Sequence, residues 1–321
     1  MKRTTATQSI SDEEQSRDRI VDGYIVSIRG DNYLWMIKDC YHPPKYYIAV
    51  PRYGPRGEKL KIFRDSWEIA EARGYIIYDY CLGKLVPAIP RILVDQVLSP
   101  YEWKPVVGDQ IDNVAMKFRE IISHYANVPL EEIGVTGSLL ARKLVPRLIP
   151  EDIDIVVGGI NEAVKVYKAL QKMRSEEVTR PIPYTIRPPD AEVLDRKSRV
   201  RLMRKRLLEG IFEGYRYSIR LIPCKTITNC IHRVRLLSRW SGVIEVVEQL
   251  PPYISPYTYS IRVVATSERN PRPQLLVSTR IRFSEIPVGT RLYVEGDLEY
   301  NEGLGVLQLC PDHPGSKVKL L

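Results

Sequence analysis

Residues 134–159 read GVTGSLLARKLVPRLIPEDIDIVVGG: a Gly-Ser pair, then two aspartates separated by one isoleucine. Residues 151–157 (EDIDIVV) form a short β-branched run stopped by Gly158 and Gly159, the pattern of a strand. In a strand, alternate side chains share a face. Asp152, Asp154 and Val156 therefore point one way, and Ile153, Ile155 and Val157 the other. Two neighbouring carboxylates repel, and burying them unpaired is costly. A divalent cation removes that cost, and Mg²⁺ takes one or two carboxylates together with phosphate oxygens and water. The pair is a candidate site for Mg²⁺, or Mn²⁺ in its place, on a nucleoside triphosphate (NTP). An exposed strand edge is the plainer alternative.

Upstream, EEIGVTG reads as another short strand ended by Gly137, and SLLARKLV reads as a helix with Ser138 as its N-cap. A helix start behind a bare glycine offers N–H groups to phosphate, and Ser138 adds a hydroxyl. The thirteen residues 139–151 let one helix return the chain, so that the two strands can be neighbours. Arg142, Lys143 and Arg147 on this connection add positive charge.

Strand, Gly137-Ser138, helix and strand with Asp152-Ile153-Asp154, in that order, resemble the DNA polymerase β-type nucleotidyltransferase superfamily. The longer stretches PLEEIGVTGSLL…EDIDIVV and HPPKYYIAVPRYGPRG resemble a group of archaeal predicted nucleotidyltransferases. The resemblance implies a mixed sheet with helices, triphosphate at Gly137 and Ser138, and two Mg²⁺ ions on Asp152 and Asp154. It implies attack of an acceptor hydroxyl on the α-phosphate with loss of pyrophosphate. Active members of the superfamily usually carry a third carboxylate on a later strand. The best-placed strand here is YRYSIRLIP, whose central position is Arg220. Arg220 can bind a phosphate or pair with the aspartates but cannot ligate Mg²⁺, and Glu213 near the start of that strand is the available substitute.

Around this centre the chain reads as α+β throughout. A polar tail (1–18) precedes a small α+β domain (19–104), a nucleotidyltransferase-like domain (105–232) and an OB-like barrel (233–321). In the first zone DGYIVSIRGDNYLWMIKD reads as two strands around a Gly30-Asp31-Asn32 turn, KYYIAVPRY as a third and FRDSWEIAEARG as a helix. His42, before two prolines, reads as part of a rigid turn or as a site residue. In the second zone residues 109–125 and 161–173 have helical apolar spacing. Residues 191–209 read as a long basic helix, with seven Lys and Arg between Arg196 and Arg206. Of these, Arg196, Arg199, Arg204 and Lys205 are candidate phosphate contacts, against the plainer reading of a solvated face. The third zone holds five short strands in about eighty residues. There Tyr257, Tyr259, Arg262, Arg280 and Arg282 are candidate contacts to single-stranded nucleic acid, although strand alternation would bury some of the tyrosines.

The 321 residues are 44% hydrophobic and carry a net charge of +9, which favours a polyanionic partner, RNA before DNA. Five scattered cysteines form no CxxC, and their odd number argues against a disulfide framework and for a reducing cytoplasm. No Cys/His spacing suggests zinc. No apolar run is long enough to span a membrane, and frequent proline with plentiful charge is compatible with a thermophile. Three readings stay open: a nucleotidyltransferase acting on a nucleic-acid end, a non-catalytic RNA-binding protein on the same fold, and a transferase acting on a small molecule or protein. The sequence does not give the oligomeric state.

Overall fold

A computed structural model describes residues 19–183, 193–231, 233–251, 253–266, 271–313 and 315–321. The expected polar tail and the first two residues of the expected basic helix lie outside them. The described chain is α+β, with three sheets and few helices.

The first sheet comprises β1 (Ile25–Ile28), β2 (Leu34–Ile37), β3 (Tyr46–Tyr53), β4 (Ile76–Asp79), β5 (Lys84–Pro90) and β6 (Val94–Leu98), in the order β4-β5-β3-β2-β1-β6. All its pairings are antiparallel. Helix α1 (Phe63–Ala72) packs on β3. His42 is structural: its ring lies buried against Tyr47, accepts from the Ile48 N–H and bonds the Ile20 carbonyl.

The second sheet is the one that the aspartate pair decides. Its strands are β7 (Ile133–Thr136), β8 (Asp152–Gly158), β9 (Glu209–Phe212) and β10 (Tyr215–Ile222), in the order β7-β8-β10-β9. Strands β8 and β10 are parallel, and the other two pairings are antiparallel. Helix α2 (Gln110–Ala126) starts where Asp109 accepts hydrogen bonds from the Ile111 and Asp112 N–H groups. It lies with α4 (Ile160–Ser175) on the apolar face of β8, over Ile153, Ile155 and Val157. The short α3 (Gly137–Ala141) joins β7 to the returning chain. The expected N-cap at Ser138 is displaced: Thr136 holds that position, and its hydroxyl bonds the Gly23 carbonyl of the first sheet instead of capping the helix.

The expected long basic helix is shorter. Helix α5 runs only over Arg196–Met203, capped by Asp195, and residues 209–212 form β9. Just past the helix, buried Arg206 bonds the carbonyls of Ser284 and Arg282, far along the chain, and the Glu209 carboxylate at 2.7 Å. Leaving that charge unpaired in the interior would be costly, so the local helical spacing yields to a tertiary demand.

The third sheet comprises β11 (Val234–Leu250), β12 (Tyr257–Ala265), β13 (Leu275–Ser278), β14 (Arg291–Asn301), β15 (Val306–Cys310) and β16 (Lys317–Leu320). The first five close on themselves in the order β11-β12-β13-β15-β14 and back to β11, with β13 and β15 parallel. The long β11 pairs with β14 through Glu245 and with β12 from Val243 onward, which closes the ring. One apolar core runs from the second sheet into this one. Buried Glu285 accepts from the Leu207 and Leu208 N–H groups and from the Tyr167 hydroxyl, bolting the two sheets together.

The cysteine expectation is overturned. Cys40 pairs with Cys224 and Cys81 with Cys230, at sequence separations of 184 and 149. Partners so distant leave no local spacing to read. Both bridges tie the first sheet to the segment after β10. The odd cysteine, Cys310, is buried, and burial pushes its thiol up. The unfolded but unreduced chain is therefore expected to show about one reactive thiol by thiol titration, rising to five after reduction. Reduction should also lower the stability by about 2–5 kcal/mol in denaturant melts. Five thiols before reduction would contradict the pairing.

Candidate functional site

Strand β8 divides its side chains as alternation requires. Ile153, Ile155 and Val157 enter the main core, while Val156 packs into the core of the first sheet, beneath Gly23. Asp152 and Asp154 share the face of Val156 and stay half-exposed at the start of the strand. The covered end of this face fixes the strand, and the open end presents the carboxylates.

Gly137 is required here by close approach. Its φ is +66°, and a Cβ on it would sit 2.0 Å from Asp154 Oδ2. On the other side, the Ser218 hydroxyl donates to Asp154 Oδ1 at 2.5 Å, because Ser218 stands opposite Asp154 in the β8/β10 register. The Ser138 hydroxyl is buried without a hydrogen-bond partner. Asp154 chiefly, and burial secondly, push the Asp152 carboxyl up to about 6, against the pull of Lys59 and Arg216. The repulsion anticipated from the sequence thus outweighs the pull of Lys59 and Arg216 at Asp152.

The N-terminal sheet supplies much of the surrounding charge. Lys59 Nζ lies 3.9 Å from Asp152 Oδ1 and 3.7 Å from Glu151 Oε2. Lys38 is pushed down to about 8 by burial, which outweighs the favourable fields of Asp22 and Asp154. Arg220 bonds Asp22 Oδ2 at 2.8 Å and also reaches the Thr279 carbonyl. Burial alone would raise the Asp22 carboxyl, but Arg220 and Lys38 overcome it and hold it below the ordinary range. Burial, with Asp154 close by and Arg52 opposing, pushes the Tyr53 phenol up, so it stays neutral.

Of the residues expected at the site, Gly137, Asp152 and Asp154 come together, with Ser138 adjacent in the chain and Arg220 along β10. Arg142 and Lys143 do not join them. Arg142 is locked to Asp109 and Asp112 at the start of α2, and Lys143 reaches the Glu102 carbonyl. Glu213 is no substitute carboxylate: it occupies the β9–β10 turn with φ +44° and pairs with Lys117. On β10 the positions sharing the aspartate face are Arg216, Ser218 and Arg220, so that face carries no third carboxylate. Among the described residues no group of three or more His, Cys, Asp or Glu side chains is arranged to hold a metal. Two carboxylates suffice for one Mg²⁺ whose remaining ligands are phosphate and water. They do not make the two-metal set that the resemblance implied.

The barrel tyrosines are not nucleic-acid contacts. Tyr257 and Tyr259 are fully buried, and the Tyr259 hydroxyl donates to the Phe283 carbonyl at 2.6 Å. Arg262 is exposed and pairs with Glu245. Arg280 and Arg282 fall after β13, which ends at Ser278: Arg280 stacks over Phe63 of α1 and pairs with Asp312, and Arg282 is half-buried. Arg196 and Lys205 are exposed, while Arg199 and Arg204 are half-buried.

The residues missed from the sequence are Asp22, Lys38, Arg52, Tyr53, Lys59, Arg216 and Ser218. Alternation along 215–222 would have found the last two once β10 was laid beside β8. The others come from a different sheet and carry no local signal. Comparison with protein families, curated proteins and solved structures finds no match for this chain.

The raised Asp152 carboxyl has a stability consequence. Its folded-state value lies above the ordinary one, so the folded protein holds the proton more tightly. The resulting penalty grows as pH rises from about 4 to about 6 and is complete above that. Asp152→Asn should therefore stabilise the metal-free protein at pH 7.5. The side chain is 40% exposed, so solvent screening limits the gain to about 1 kcal/mol. The gain should vanish below pH 4 in thermal melts; a loss of stability at pH 7.5 would contradict this electrostatic picture.

Proposed function

We propose that the chain is a Mg²⁺-dependent nucleotidyltransferase that moves a nucleoside monophosphate from an NTP to a nucleic-acid hydroxyl, RNA ahead of DNA. The observation that carries this reading is the like-charged Asp152–Asp154 pair on one face of β8, held against Gly137 with the Asp152 carboxyl raised chiefly by Asp154. The acceptor hydroxyl attacks the α-phosphorus, the bond to the bridging oxygen breaks, and pyrophosphate leaves. Mg²⁺ or Mn²⁺ on Asp152 and Asp154 would supply charge neutralisation at the reacting phosphate. Ser218 orients Asp154 through its hydrogen bond, and Gly137, having no Cβ, lets that carboxylate pack against the turn. The second sheet is read as the nucleotidyltransferase-like unit. The strand order of the closed third sheet suits an OB-type barrel, whose common use is to hold nucleic acid. The exposed side of α5, with Arg196, Lys197 and Arg201, suits a phosphate backbone. No helix among the described residues is long and apolar enough to cross a membrane. A cytoplasmic setting fits this chemistry if the disulfides persist there, as they do in hyperthermophiles.

A second reading rests on Arg216, Ser218 and Arg220, where a third carboxylate would be expected. It makes the chain an RNA-binding protein on a retired catalytic fold. Incubation with each α-labelled NTP, Mg²⁺ or Mn²⁺ and total RNA separates the two. The first reading predicts label entering RNA, reduced about 100-fold or more in Asp152→Ala/Asp154→Ala. Equal, salt-sensitive RNA binding by both proteins with no transfer would establish the second reading instead.

A further inference from the structure

The cations expected to meet a triphosphate, Arg142 and Lys143, are engaged elsewhere. Two others stand beside the aspartates. Lys59 reaches in from the loop after β3; its side chain is 13% exposed, so its amine is held near Asp152. Its distances to Asp152 and Glu151, 3.9 and 3.7 Å, are those of loose ion pairs rather than hydrogen bonds, so its donors stay available. Arg216 stands opposite Asp152 in the β8/β10 register. Among the described residues no carboxylate pairs with its guanidinium at ion-pair distance. Its Nε is buried without a hydrogen-bond partner, a state that costs stability unless a ligand accepts from it.

Beside Asp152, Lys59 and Arg216 are the cations that oppose the charges of Asp154 and Glu151. Arg220 is committed to Asp22 and the Thr279 carbonyl, so it sets the field without needing a ligand. Lys59 and Arg216 are therefore the cations left to meet a ligand beside Asp152.

We propose that Lys59 and Arg216 form a polyphosphate clamp beside the aspartate pair, ready to bind an anion before a divalent cation arrives. The guanidinium presents a planar fork of donors to phosphate oxygens, and the amine adds a movable point charge. The clamp supplies fixed positive charge in a site with donors for only one metal ion. Naming the triphosphate of a nucleotide as its ligand rests on the transferase reading above.

The test is calorimetric titration with inorganic tripolyphosphate, and separately with ATP, in EDTA at low salt. The parent should bind both without metal. Lys59→Ala and Arg216→Ala should each weaken binding about 10-fold or more, and Arg216→Lys should recover only part of the loss. Asp152→Asn/Asp154→Asn should bind at least as tightly as the parent, because two repelling charges are gone. Lys172→Ala, on an exposed helix face, controls for general charge. Thermal melts should show Lys59→Ala and Arg216→Ala folded. Failure of the parent to bind either anion without metal, or unchanged binding by both single variants, would overturn the clamp. Binding of tripolyphosphate without label transfer to RNA would keep the clamp and remove the transferase.

Discussion

Electrostatic repulsion between Asp152 and Asp154, on one face of β8, is the constraint around which the rest is arranged. A strand with an apolar face would ordinarily turn its polar face to water. Here that face is capped at one end, where Val156 meets Gly23 and the first sheet, and open only at the aspartates. The first sheet therefore covers the site as well as packing on it. It brings Lys38, Tyr53 and Lys59 within electrostatic reach of the pair, with Asp22 and Arg52 beside them. Half-buried carboxylates with cations close by suit the proposed metal-bound phosphate, which carries both signs of charge.

The pieces are fixed to one another by interactions that local sequence does not show. Two disulfides fasten the first sheet to the segment following β10. Buried Arg206 and Glu285 fasten the second sheet to the barrel, and Tyr167 stacks on Tyr253 across the same boundary. Arg220 touches all three parts: it lies on β10, pairs with Asp22 of the first sheet and bonds Thr279 of the barrel. The side chain at the position where a third carboxylate was expected instead ties the three parts together. Such rigidity suits a site that works by positioning and fixed charge.

What could be read from the sequence was the part governed by short-range rules. Alternation separated Asp152 and Asp154 from Ile153 and Ile155, and periodicity pointed to helices at 109–125 and 161–173, which run over 110–126 and 160–175. Rules of that kind fail where a distant partner decides. The basic run from Arg196 to Arg206 has helical spacing, yet Arg206 turns inward to Glu209 and the barrel carbonyls, and the helix stops at Met203. Tyr257 and Tyr259 alternate with polar residues, and that pattern alone does not say which face is inside. Barrel closure puts the rings within. Arg142 lies close in sequence to Gly137-Ser138, but the acidic start of α2 captures it, while Lys59 arrives from another sheet. Cysteine counting failed for the same reason, since each partner lies more than a hundred residues away.

The central claim is that this pair of carboxylates holds a divalent cation. Titration with Mn²⁺ followed by electron paramagnetic resonance tests it directly, without requiring a substrate. The account predicts about one Mn²⁺ bound per chain, strengthened by added triphosphate and lost in Asp154→Asn. Absence of bound Mn²⁺ in the parent, or equal binding by Asp154→Asn, would contradict it.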